Sequence, residues 1–229
     1  AANKSVAAAA ALGTTGAGVA AFTGATAGSV ISTLATDANG VVKLVSITDN
    51  EDVEISVLGA NNTAGMVKFS SGYKVWMEAR VKVGLISDSN YTAYFGFAEE
   101  GLLGSGTLIN TSDAMVDKDY IGFRRTFADG DKLDTVLNTA GAEGPTDVGA
   151  DAITIAADTW VKVGMYCDGT TVYFYKNGVV LSDSITLADD NFTIDDEELA
   201  FYVGIMINTS AGGERSALVD WIRIAEEYP

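Results

Sequence analysis

From Tyr73 to Val83 the chain alternates without a break. Tyr73, Val75, Met77, Ala79, Val81 and Val83 fall on one side, and Lys74, Trp76, Glu78, Arg80 and Lys82 on the other. Alternation over this length predicts a half-buried antiparallel strand, one side on a core and the other in water. Between Trp160 and Ile185 three shorter alternating runs follow one another, separated by Asp168-Gly169 and Asn177-Gly178. Both dipeptides tolerate the positive φ of tight hairpin turns, so a β-meander is expected. Val161, Val163 and Met165, then Val172 and Phe174, form its apolar side; Lys162, Tyr173 and Tyr175 take the opposite one. An apolar sheet side needs a second layer to cover it.

The same pattern places strands at Val41–Ile47 and Val53–Leu58, at Tyr91–Phe97, at Tyr120–Phe127, and at Lys132–Leu137 after an Asp129-Gly130 turn. A strongly apolar strand spans Leu199–Ile207, and a last strand follows the turn Asn208–Gly213. Asn138 to Asp151 is made of Gly, Ala, Pro and acidic residues and is expected to be a long surface connection; Asp189 to Glu198 is an acidic loop. About ten to twelve strands, frequent turn signals and no convincing helix predict an all-β fold, a two-sheet antiparallel jelly-roll sandwich.

Residues 1–36 are rich in Ala, Gly, Thr and Ser, carry almost no charge and show no sustained period. Alone, such a segment buries too little to offset an ordering cost of about 1–2 kcal/mol per residue. The expected organisation is therefore an N-terminal arm, 1–36, followed by a β-sandwich domain, 37–229. Val6, Leu12, Val19, Phe22, Val30 and Ile31 are the arm's expected anchors on a partner surface. Residues 18–36 read equally well as the first strands of the sandwich.

Trp160 with its alternating strand, Tyr166-Cys167-Asp168-Gly169-Thr170-Thr171-Val172 and Tyr175-Lys176-Asn177-Gly178-Val179-Val180 resemble the penultimate hairpins of laminin-G-like domains of the concanavalin A-like superfamily. Val219-Asp220-Trp221-Ile222-Arg223-Ile224 resembles the closing strand of that superfamily, including its glycanase branch. The resemblance covers residues 70 to 229 and implies a shape more than an activity. Glycanases of the superfamily carry Glu-x-Asp-x-(x)-Glu on one strand, and this chain has no such arrangement. Some laminin-G-like domains bind calcium at a sheet edge. Calcium is accordingly the one ligand considered for Asp129-Asp131-Asp134 and for Asp189-Asp190 with Asp195-Asp196-Glu197-Glu198, neither of which has EF-hand spacing. No other cofactor or metal is expected.

Composition narrows the functions. With 48% hydrophobic and 20% charged residues the chain can bury a core. Its net charge of −17, from 14 basic and 31 acidic residues, argues against nucleic acid and against an anionic membrane surface. There is no histidine, which removes Ser-His-Asp and Cys-His catalysis and every histidine zinc site. Cys167 is the single cysteine, so no intrachain disulfide forms, and no basic neighbour in sequence activates the thiol. With neither an initiating Met nor a cationic leader at its start, the chain is expected to have lost a leader or never used one.

Two functions fit these features. The first is a non-enzymatic virion structural protein, similar to the capsid decoration or cement proteins of tailed phages, whose arm contacts the major capsid protein and other copies in a homo-oligomer. It accounts for the missing catalytic residues and the bland arm, and is the primary expectation. The alternative is a carbohydrate-binding module of a secreted or cell-surface protein. Its glycan-facing aromatics would be Trp76, Tyr94 and Tyr202, with Tyr173 and Tyr175.

Overall fold

The alternating runs become strands, fifteen of them among the described residues. They are β1 (Val19–Gly24), β2 (Val30–Leu34), β3 (Val41–Ser46), β4 (Glu51–Leu58) and β5 (Val67–Lys68). Then come β6 (Lys74–Val83), β7 (Tyr91–Glu99), β8 (Tyr120–Arg125), β9 (Lys132–Asn138) and β10 (Thr146–Thr154). The last five are β11 (Val161–Cys167), β12 (Thr171–Lys176), β13 (Val179–Thr186), β14 (Glu198–Ile207) and β15 (Arg215–Glu227). The structure, a computed structural model, describes residues 19–24, 30–34, 41–47, 51–58, 67–86, 91–99, 102, 108–109, 115–140, 146–188, 192, 194, 198–207 and 214–229.

Two antiparallel sheets face each other as a jelly-roll sandwich. Sheet A runs β1-β4-β14-β7-β8-β9-β10, with β5 added beside β14; sheet B runs β13-β12-β11-β6-β15-β3-β2. The inward residues of both are those the alternation singled out. Val75, Met77, Ala79, Val81 and Val83 of β6 meet Phe95 and Phe97 of β7, Phe123 of β8 and Phe201 of β14 in one core. Phe97 packs edge-on against Phe69 and Phe201, with ring centres 5.5 and 6.1 Å away, and Phe123 packs edge-on against Phe174 at 5.7 Å. Burial of each such side chain is worth roughly 1.5–3 kcal/mol, which holds the layers together without a disulfide.

The meander turns as expected. Asn177 and Gly178 have φ of 51° and 80°, the left-handed pair that a two-residue hairpin requires. One expectation fails: residues 138–151 are not simply a connection, because β10 pairs with β9 from Thr146 to Thr154. This strand carries Asp147, Gly149 and Asp151 and lies at a sheet edge, and its register shifts on both sides of Gly149. Irregular edge pairing is compatible with a composition that strand propensity disfavours.

Parts of the first 36 residues also belong to the sheets. β1 pairs with β4, Val19 opposite Leu58 and Phe22 opposite Ile55; β2 pairs with β3, Val30 opposite Val45 and Ile31 opposite Leu44. Val6 and Leu12 lie outside the described residues.

Candidate functional site

Strand register on the outer face of sheet B assembles two ranks of side chains. Trp76 lies opposite Tyr166, which lies opposite Tyr173, and Ala225 flanks Trp76 on β15. In the neighbouring rank Arg223, Glu78, Gly164 and Tyr175 are similarly aligned across β15, β6, β11 and β12. The first rank is a row of stacked rings. Trp76 and Tyr166 lie 5.1 Å apart with 21° between their planes, and Tyr166 and Tyr173 lie 6.5 Å apart with 22° between theirs. The second rank has a gap where Gly164 carries no side chain. An open groove of about 330 Å³ runs over this gap, lined by Trp76, Glu78, Tyr166, Tyr175 and Arg223 among others. Trp76 keeps 38% of its surface in solvent, although it stands mid-strand in a sheet.

Charges surround the rings. Lys162 holds Glu78 at 3.1 Å, Lys74 holds Glu227 at 3.0 Å, and Arg80 pairs with Asp220. Arg223 lies instead against the ring of Trp221, 4.8 Å from its centre. Such a surface suits a ligand with alternating apolar and hydroxylated faces: flat rings take C–H faces, and the planar charged groups at the rim take hydroxyls.

The outer face of sheet A is built differently. Register places Glu54, Gly204, Tyr94, Arg124 and Asp134 in one rank across β4, β14, β7, β8 and β9. This rank is covered. Leu102, Leu108, Ile109 and Met115 pack with Tyr94, Tyr120, Tyr202 and Met206 in a second apolar cluster. Beneath them Glu54 Oε1 accepts the backbone N–H groups of Leu108 and Ile109, at 3.0 and 3.3 Å, and Oε2 accepts the Tyr202 hydroxyl. Burial outweighs these donors and pushes the Glu54 carboxyl from its ordinary 4.5 to about 8. Burial, and then the Glu54 charge, raise Tyr202 well above its ordinary value. Asp134 is raised to about 6, chiefly by burial, against a 2.8 Å hydrogen bond from the Asp151 amide.

The aromatics expected to face a glycan are therefore split between opposite sides of the molecule. Trp76 and Tyr175 line the open groove, and Tyr173 stacks on Tyr166 beside it. Tyr94 and Tyr202 are fully buried on the other sheet, where Tyr94 donates to the Phe97 carbonyl at 2.7 Å. Sequence reasoning missed Tyr166, Gly164 and Arg223. Tyr166 and Arg223 each stand on the polar side of an alternating run, but only the register of β6 against β11 and β15 shows that they meet Trp76 and Glu78. Of the acidic loops weighed for calcium, Asp189, Asp190 and Asp195 to Glu197 fall outside the described residues. Among the described residues no three histidine, cysteine or acidic groups converge as metal ligands.

No family model and no curated protein matches the chain. Solved structures do match its fold. Alginate lyase A1-II', of polysaccharide lyase family 7, is similar at a TM-score of 0.53 and 15% identity, over 85% of this chain and 83% of that one. A protein of unknown function from Shewanella oneidensis MR-1 is similar at a TM-score of 0.56 and 16% identity, over 90% of this chain and 77% of the other. A structure described with the endo-acting O-glycanases by which human gut bacteria initiate mucin breakdown gives 0.57 and 11%, over 83% and 81%. These neighbours overturn the expectation of a virion structural protein of capsid decoration type, and with it that of a non-enzymatic chain. The missing histidine and missing Glu-x-Asp-x-(x)-Glu pattern had stood for missing chemistry, yet carbohydrate-degrading enzymes share this sandwich, and sheet A carries a carboxyl with a near-neutral pKa that no motif announced. The chain has the jelly-roll fold that polysaccharide lyases and glycanases share.

Proposed function

We propose that the protein binds a polysaccharide along the outer face of sheet B. The observation that carries this reading is the stacked row Trp76, Tyr166 and Tyr173 beside an open groove floored at Gly164. Rings held side by side by strand register are preorganised, so little side-chain entropy is lost when a chain of sugar rings lies on them. Enzymes that act on carbohydrate share this fold, and the setting that accords with the reading is extracellular or at a cell surface. Affinity electrophoresis in gels containing different polysaccharides tests it. Retardation by at least one polysaccharide, lost on Trp76→Ala, is expected. Equal migration of wild type and variant in every gel refutes it.

Polysaccharide cleavage is a second reading, favoured by Glu54. A carboxyl with a pKa of about 8 is protonated at neutral pH and suits a general acid, and the Tyr202 hydroxyl is bonded to it. Arg124 stands in the same rank as a cation. Contact with a sugar would require Leu108 and Ile109 to withdraw from the carboxyl. The check is release of new reducing ends from a bound polysaccharide, abolished by Glu54→Gln.

A further inference from the structure

We propose that the polysaccharide held in the sheet B groove is acidic, with a carboxylate on its sugar ring, and that Arg223 is the group that recognises it. The proposal rests on the reading of this groove as a polysaccharide-binding surface and adds the ligand's charge and its specificity residue.

The argument begins with how the cations on this face are satisfied. β6, β11 and β15 present Lys74, Arg80, Lys82, Lys162 and Arg223 outward. Lys74 is paired with Glu227 at 3.0 Å, Lys82 with Asp158 at 3.9 Å and Lys162 with Glu78 at 3.1 Å, and Arg80 with Asp220. Arg223 alone of the five makes no ion pair among the described residues. Acidic residues outnumber basic ones by 31 to 14 in this chain, so an exposed guanidinium left without a carboxylate is unusual. Glu78 is its register partner on β6, and Lys162 from the other side occupies that carboxylate.

Arg223 is also held in a form fit for recognition. Its guanidinium rests on the Trp221 ring, 4.8 Å from the centre. Stacking uses the flat face of the guanidinium and leaves its N–H edge free, and that edge matches the two oxygens of a carboxylate. It lines the same groove as Trp76, one rank away, and adjacent ranks are about 7 Å apart along a strand. Trp221, on which the guanidinium rests, aligns with Arg80, the rank beyond Glu78 as seen from Trp76, so a chain of several sugar rings running from Trp76 and Tyr166 across these ranks would bring a ring substituent to Arg223. Lys162 offsets the Glu78 charge beside Arg223, and the repulsion of an acidic ligand by the chain's net charge of −17 is screened beyond about 10 Å at 0.1 M salt, so the contact at Arg223 is the short-range term that decides.

The test is calorimetry on the full chain with two hexasaccharides, one of β-1,4-linked mannuronate and one of β-1,4-linked mannose, which differ only in a carboxylate or a hydroxymethyl at C6. The acidic probe should bind at least tenfold more tightly. Arg223→Gln should weaken it roughly 10- to 100-fold, the loss of a charge-assisted bidentate contact, and leave the neutral probe unchanged within about threefold. Arg223→Lys, which keeps the charge and loses the fork, should fall between. The side chain is exposed, so these variants keep the fold. Equal affinity for both probes, with both lost on Trp76→Ala, would overturn the charge assignment and leave the groove standing. Absence of binding by either probe would overturn the charge assignment, and the groove reading falls with it only if migration is also equal in every polysaccharide gel.

Discussion

Glu54 offers the sharpest quantitative test of the fold's electrostatics. The unfolded chain releases this proton near pH 4.5, and the folded chain holds it to about 8. Between those values the native state binds the extra proton, so stability must fall as pH rises, and it levels off above about 8. At 1.36 kcal/mol per pH unit the loss between pH 5 and 8 approaches about 4 kcal/mol, an upper bound because protonation is only partial at both ends of that window. For a chain of this size that is on the order of 8–16 °C in Tm. Self-repulsion within a chain of net charge −17 adds a loss of the same sign, as does Asp134, raised to about 6. The informative quantity is therefore the difference from Glu54→Gln, which keeps an acceptor for the Leu108 and Ile109 amides but cannot ionise. Thermal melts of both proteins at half-unit steps from pH 4.5 to 9 should diverge, the wild type losing several degrees more across the window. Parallel Tm profiles would refute the reasoning, because they would mean that Glu54 ionises in the native state as it does in the unfolded chain.

Further outcomes follow from packing. Gly96→Ala would place a methyl 2.5 Å from the Ile121 carbonyl oxygen and 2.7 Å from the Tyr94 hydroxyl, and should cost about 2–3 kcal/mol in denaturant unfolding. Gly178→Ala meets nothing within 4 Å and is opposed only by its φ of 80°, so about 1–2 kcal/mol is expected there. Phe174→Ala opens the contact with Phe123 in the centre of the core, and about 3–5 kcal/mol should be lost in the same assay. Cys167 is fully buried and its thiol is pushed up by that burial, so a maleimide should label it only after denaturation; labelling of the native protein within minutes would contradict its placement.

Much of this architecture is legible in the chain because burial enforces period two. β6 is readable to the residue: its inward and outward sets are those given by alternation alone. The meander is equally clear, since only residues tolerant of positive φ fit its Asn177-Gly178 turn. β10 is hidden because an edge strand with broken register needs neither β-branched residues nor strict alternation. The site is harder to read for a related reason. Glu54 alternates with Val53 and Ile55 as if it faced water, and Tyr94 and Tyr202 read as exposed aromatics; the cluster around Leu102, Leu108, Ile109 and Met115 buries both rings, and the Leu108 and Ile109 amides bond Glu54 beneath it. Covering segments far along the chain leave no local imprint on the residues they cover. Alternation puts Trp76 on the outer side of β6, where it is 38% exposed, but its neighbours Tyr166 and Arg223 are set by cross-strand register, which one strand's sequence does not encode.

The most direct test of the account is where a sugar lands. A titration of the isotopically labelled protein with a polysaccharide fragment, followed by NMR, reports this residue by residue. Binding should move the Trp76 indole and the amides of Gly164, Tyr166, Tyr175 and Arg223, all on the open face of sheet B. Shifts confined instead to Glu54, Tyr94 and Tyr202, on the covered face of sheet A, would contradict it.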